Sequence, residues 1–505
     1  MSRILLLAVL IPLASGCTGI RELLGSDDPK GTAVSVSPGL LKKRIPVGST
    51  AVAASDGSTD GLVALGCSDP ASYNFCFTVM DVDGVVLREW GDQPKITVPS
   101  GGHLVATSIA FYPPSDVVIA GHTSVSLGEP DGGGGDGFVA RYSLQTGSRV
   151  WIRQFGMSTK GKNSNQKEEF NDIAVDSNGM IYVAGRTRSN FARSTYGNHD
   201  AILLLIDSKG LIRSEKQVGT GYDDDFQRVV VAADGSVVVA GHTCGSLGSE
   251  TNAVNTADAS YHPANPCPNE NSIDLVFGSW RWDSASGTLS ENFLQQLGRN
   301  TLPSGVGVKS DFVYGLAVSN AGDIYFTGGS NSRFARSDDS ILAAETNGGQ
   351  SDIYVGRLSP AGALQWIRSF GGSLGGTSKL DFGRSILVQE NGASVDLLVC
   401  AETLGNFLEA HGGGTVYPAL ASNGKGDIVL LRLAETGTLT SSVHYGNSTL
   451  GKARGAGKEG CGRILRQGTS VLLLGTSSGP LFSSGSGGAF FARDQISKFT
   501  DLLRE

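Results

Sequence analysis

"MIYVAGRTRSNF", residues Met180–Phe191, is a short apolar run closed by a glycine and a hydroxyl residue. Close relatives of its core "IYVAGRT" are "LVALGCS" at Leu62, "VVIAGHT" at Val117, "VVVAGHT" at Val237, "IYFTGGS" at Ile324, "LLVCAET" at Leu397 and "VLLLGTS" at Val471. Runs this short, apolar nearly throughout and rich in β-branched residues read as strands buried on both faces. A phrase that returns along the whole chain marks a repeat, so the unit has to be defined before domains are counted.

Each copy extends in both directions. Before it comes another apolar alternation closed by a turn, as in "DIAVDSNG", "RVVVAADG" and "GLAVSNAG". After it, beyond a variable stretch, an Asp opens a third strand: "DGFVARY" at Asp136, "DAILLLI" at Asp200, "DLVFGSW" at Asp274, "DIYVGRL" at Asp352 and "DIVLLRL" at Asp427. A second tight turn leads to a fourth strand ending in Gly, as in "RVWIRQFG" and "LQWIRSFG". The unit is therefore four strands, A to D. One such sheet cannot cover both its faces, whereas seven arranged radially cover one another and leave only short edges. The expected fold is all-β, a seven-bladed β-propeller of four-stranded antiparallel blades. Strand B lies in mid-sheet, which accounts for its apolar run. Its Gly allows close backbone approach or positive φ, and its hydroxyl satisfies groups released where the ladder ends.

The order "YVAG-x-T … D-x-hydrophobic … D-x-x-G" resembles the SBBP-type β-propeller repeat of exported bacterial proteins, from about Val47 to the C-terminus. Departures are Asn74 at the Asp position of the first copy, Ala401 at the repeated Gly of the sixth, and "GGAFFAR" without Asp in the last. The expected blades span about 45–91, 102–156, 168–219, 225–298, 310–371, 380–446 and 458–505. First and last should meet, with "AVSVS" or "FTDLLRE" completing the ring, the latter also readable as a short helix.

The N-terminus "MSRILLLAVLIPLASGC" has Arg3, an apolar run from Ile4 to Ala14, and small residues before Cys17. This reads as an export signal over 1–16, too short to span a membrane. "LASGC" resembles the bacterial lipobox, with Ala14 where Leu is usual, and the resemblance implies acylation of Cys17. Residues 17–44 read as a flexible tether and 45–505 as the propeller. Thr18 in place of Asp leans the assignment toward the outer membrane, with the protein facing the periplasm or the cell surface. A net charge of −8 and only 17% charged residues give no basic footprint for nucleic acid.

Turns A to B and C to D stay short, whereas the B to C and D to A connections vary, and in an antiparallel unit both of the latter leave the same end. That end is the candidate binding face, with its largest insertions after His242, Gly329 and Glu402. Lys160, Lys162, Lys167, Lys452, Arg454 and Lys458 give it local positive charge. Six cysteines besides Cys17 suit three disulfides in an exported protein; the repeat frame favours Cys67 with Cys76, Cys244 with Cys267, and Cys400 with Cys461.

Acidic residues Glu169, Asp225, Asp311 and Asp381 each precede a Phe at the start of strand A, and Glu459 matches them in the seventh unit. Ringed around a channel mouth they would bind a cation such as Ca²⁺; otherwise each accepts hydrogen bonds where the chain enters its unit. His122 and His242 share one position but lack further metal-ligating partners. Trp90, Trp151 and Trp366 in D strands, with Trp280 and Trp282 in a C strand, read as packing between units or as a strip that binds sugars or peptides. The functional expectation is a membrane-anchored extracytoplasmic binding or scaffold propeller for protein or surface glycan, without a catalytic constellation. The alternatives are a lyase or glycosidase-type propeller enzyme using the central pocket, and an envelope or outer-membrane assembly component.

Overall fold

The computed structural model describes residues 41–44, 53–55, 62–66, 76–81, 85–91, 97–128, 135–156, 167–191, 198–245, 247, 273–298, 311–330, 351–370, 381–392, 394–403, 426–445, 459–467, 469–477 and 488–501. These form seven antiparallel four-stranded sheets. In the first six blades the strands follow sequence order, A to D. The A strands are Ala53–Ser55, Leu104–Tyr112, Glu168–Val175, Asp224–Val231, Asp311–Val318, Asp381–Asn391 and Glu459–Gln467. Each touches the A strand of the next blade, and the seventh touches the first, so the A strands line the centre of a closed ring.

The seventh blade takes its first three strands, Glu459–Gln467, Ser470–Ser477 and Gly488–Gln495, from the C-terminal part of the chain. Its outermost strand is Leu41–Arg44, antiparallel to the third with Leu41 opposite Arg493 and Arg44 opposite Phe490. The ring is thus closed by "LKKR", which the sequence reading places in the tether. The C-terminal segment does not supply this strand: Ile496–Asp501 is a 3₁₀ turn, with Ile496 and Phe499 packed among residues of the sixth and seventh blades. Residues 1–16, the acylation candidate Cys17, the "AVSVS" segment and Asn74 lie outside the described residues.

Apolar clusters form between adjacent blades. Leu203 and Leu205 of the third blade pack with Phe226, Val237, Val239 and Trp280 of the fourth, all buried. Burying a side chain of this size contributes roughly 1.5–3 kcal/mol, and each blade does so on both faces, which is why strand B tolerates so few polar residues.

The repeated strand B glycine has a specific cause. In blades two to seven, strand A carries a β-bulge opposite the end of strand B, for example between Phe170 and Asp172 and between Phe226 and Arg228. The bulge turns a carbonyl into the space a Cβ would fill. A methyl on Gly185 would lie 2.1 Å from the Glu169 oxygen, on Gly241 1.9 Å from that of Asp225, and on Gly121 2.0 Å from that of Val105. At these positions close approach, rather than positive φ, selects glycine, whereas Gly66 of the first blade has a φ of 106°. Where the sixth blade has Ala401, the opposing strand A residue is itself a glycine, Gly383.

Candidate functional site

The recurring hydroxyls and strand C carboxylates hold the bases of the B to C connections. Thr187 Oγ1 accepts from the Ser189 N–H at 2.8 Å and donates to Glu168 at 2.9 Å. Thr123 and Thr243 accept likewise from Val125 and Gly245. The Asp that opens strand C is bound from strand D by a glutamine: Gln154 to Asp136 at 2.7 Å, Gln217 to Asp200 at 2.9 Å, Gln296 to Asp274 at 2.8 Å. The same amides reach connection backbone, Gln217 donating to the Ser189 carbonyl and accepting from the Phe191 N–H. The strand D glycines give these carboxylates room, since a Cβ on Gly156 or Gly219 would fall within 2.2 Å of them. These Asp residues are structural.

The five acidic candidates do not share one position. Glu168, Asp224, Asp311, Asp381 and Glu459 pair across the ladder with Thr187, Thr243, Ser330, Thr403 and Ser477, whereas Glu169 and Asp225 stand one residue later, opposite Arg186 and His242. One step along a strand reverses the face a side chain points to. Glu168, Asp224, Asp311 and Asp381 are buried, and hydroxyls of Thr187, Thr243 and Ser330 donate to the first three. Burial, opposed by the Ser189 and Thr187 hydroxyls and reinforced by the Asp136 charge, pushes Glu168 up to about 7. Burial also raises Asp224, with Asp200 of the preceding blade acting in the same direction. Glu169 is ion-paired with Lys167 and Arg186; burial opposes ionisation, but the Arg186 charge and these contacts win and bring it down to about 2. Asp225 is bonded to His242 and Gln227. Glu169, Asp225, Asp311 and Asp381 are not among the residues that line the central cavity, and among the described residues no three His, Cys, Asp or Glu converge to hold a metal ion.

In the fourth and sixth blades the strand B residue after the repeated Gly or Ala position ties blade to blade. His242 Nε2 accepts from the Val313 N–H of the fifth blade at 2.9 Å, and Glu402 Oε1 accepts from the Cys461 N–H of the seventh at 3.0 Å. The aromatic residues of strand D also pack outward onto a neighbour: Trp151 lies over Gly210 and Trp366 over Gly437, each in the C to D turn of the next blade. Their indole N–H groups donate to the Ser208 and Glu435 carbonyls, and Trp280 is fully buried. Packing between units thus accounts for these three rings. Cys400 and Cys461 form a disulfide between the sixth and seventh blades. Cys76 and Cys244 are also disulfide-bonded; Cys67 and Cys267 lie outside the described residues, as do all the loop cations except Lys167.

The residues that line the central cavity are what sequence reading missed. Its accessible volume is about 310 Å³, and its described wall comes entirely from A strands. One layer, at and beside the bulges, is polar and holds Asn171, Asp172, Arg228, Tyr314, Arg384 and Arg463; aliphatic residues such as Val230, Val318, Val388 and Leu465 line the part toward the A to B turns. Arg384 is paired with Glu402 at 2.9 Å and lies over the Tyr314 ring. Arg228 donates to the Tyr314 and Gln227 carbonyls. Asp172 is occupied by the Ser108 hydroxyl and the Val229 N–H. Burial lowers Arg228, Arg463 and Arg384 add to that effect, and Asp172 opposes it.

The closed ring of seven four-stranded sheets defines a β-propeller. Residues 150–192, from strand D of the second blade through strand B of the third, match the family model for the SBBP beta-propeller repeat. No curated protein matches the chain. Among solved structures, Drosophila Plexin A in complex with Semaphorin 1b is similar at 10% identity and a TM-score of 0.37, over 90% of this chain and 84% of that one. Penicillium chrysogenum alpha-L-arabinanase complexed with arabinobiose is similar at 10% identity and a TM-score of 0.35, over 80% and 97%. Likenesses this distant carry no functional argument.

Proposed function

We propose that this propeller is a binding or scaffold module of the bacterial cell envelope, held by a lipid on Cys17, that engages an envelope protein or surface glycan at the end of the ring where B to C and D to A connections leave. The asymmetry of the ring carries this reading. Strands B and C are separated by residues 244–273 in the fourth blade and 404–426 in the sixth, whereas strands A and B are separated by 232–235 and 392–393 in the same blades. Length added at one end of a rigid scaffold is where binding residues concentrate. The repeated carboxylates hold the blades and the bases of these connections together, which supports a binding role over hydrolysis by paired acids.

The test is a photo-crosslinking residue placed within 244–273 in intact cells, with metabolic labelling by an alkynyl fatty acid. Capture of one envelope protein or glycan, and labelling lost in Cys17→Ala, are the expected results. Turnover of a sugar or ester panel by the purified protein, with nothing captured, would overturn the reading.

A further inference from the structure

We infer that the polar layer of the central channel, with Arg228, Arg384 and Arg463, is a binding site for a small oxyanion, a carboxylate or phosphate. The three guanidiniums come from the fourth, sixth and seventh blades and line one cavity of about 310 Å³. Like charges in a confined space repel, so such a cluster is costly unless something neutralises it. Among the described residues only part of it is neutralised. Glu402 meets Arg384, but Arg228 directs its contacts to backbone carbonyls, and the Arg463 guanidinium has no hydrogen-bond or ion-pair partner among the described residues. Asp172, the carboxylate in the described wall, has both oxygens occupied by neutral donors, Ser108 Oγ at 2.7 Å and the Val229 N–H at 3.1 Å. The described wall therefore offers a surplus of guanidinium donors.

Carboxylates and phosphates match that surplus because their paired oxygens accept the parallel N–H groups of a guanidinium fork. The aliphatic wall toward the A to B turns leaves room for a short carbon chain behind the charged head. The polar layer lies in the half of the channel toward the end from which the B to C and D to A connections leave, but its residues belong to the channel wall and not to those connections, so the two readings are tested by different experiments.

The experiment is calorimetric titration of the purified full chain with inorganic phosphate and, in parallel, with succinate at constant ionic strength. One of the two is expected to bind with saturable heat, and which one binds identifies the head group. Arg463→Gln should weaken that binding at least tenfold, Arg463→Lys should restore part of it, and neither should lower the unfolding midpoint in the absence of ligand. Arg466→Gln, at an exposed position on the same strand, should bind as wild type. Absence of saturable binding of either probe at millimolar concentration, or wild-type affinity in Arg463→Gln, would refute the site.

Discussion

Replacing Glu168 by glutamine should make the protein more stable in neutral and alkaline solution and change it little in acid. Glu168 is 1% exposed, accepts from Thr187 at 2.9 Å, and is pushed by burial from the ordinary glutamate value of 4.5 to about 7. Because the folded state holds the proton more tightly, the unfolded chain ionises first as pH rises. Stability is lost between those two values, and the loss is complete above the higher one. The gap between 4.5 and about 7, at about 1.36 kcal/mol for each pH unit, amounts to about 3 kcal/mol. Glutamine keeps the acceptor for Thr187 and carries no charge beside Asp136. Guanidinium unfolding of both proteins at pH 5 and pH 8 reads the effect: the variant should gain about 3 kcal/mol at pH 8 and less than about 1 kcal/mol at pH 5. An equal difference at both pH values, or a variant less stable at pH 8, would refute the reasoning.

Three further substitutions probe the frame. Gly241→Ala places a methyl 1.9 Å from the Asp225 carbonyl oxygen; since backbone has to yield, the loss should reach or exceed the roughly 1–3 kcal/mol typical of overpacking, whereas Ala401→Gly in the equivalent position of the sixth blade should cost no more than about 1 kcal/mol, both read from unfolding midpoints. Gln217→Leu removes the amide that joins Asp200, Ser189 and Phe191, leaving buried groups unmet at about 1–3 kcal/mol each. Hydrogen exchange should show the base of the third blade's B to C connection losing protection while the fifth blade is unchanged. Cys400→Ser with Cys461→Ser opens a crosslink spanning 61 residues, worth about 4 kcal/mol by loop-closure entropy, and the variant's unfolding midpoint should no longer respond to reductant to the extent that the wild type's does.

The seven-fold repeat is legible because burying strand B between two strands and two sheets forces an apolar phrase that survives sequence drift. Its glycine is legible too, although the carbonyl that requires it belongs to a bulge invisible in one strand's sequence. The closing strand is not legible: "LKKR" is short and basic, and edge strands carry charge, so it looks like tether. The acidic register slips for a related reason. "EEF" and "DDF" place two acids before Phe where "DF" places one, and anchoring on Phe shifts Glu169 and Asp225 by one residue from the positions that face Thr or Ser. The channel arginines escape notice because Arg384 sits on the bulge while Arg228 and Arg463 sit one residue past it, so no fixed spacing links them.

Closure of the seventh blade by the N-terminal strand is tested most directly by amide hydrogen exchange across Phe490–Arg493, comparing the wild-type chain with Lys42→Pro and Lys43→Pro variants. Proline removes the N–H that a ladder needs. Protection at Phe490–Arg493 should fall in one or both variants, together with the unfolding midpoint. Unchanged protection in both would mean that the outer edge of this blade is paired with something else and that the ring is not closed by residues 41–44.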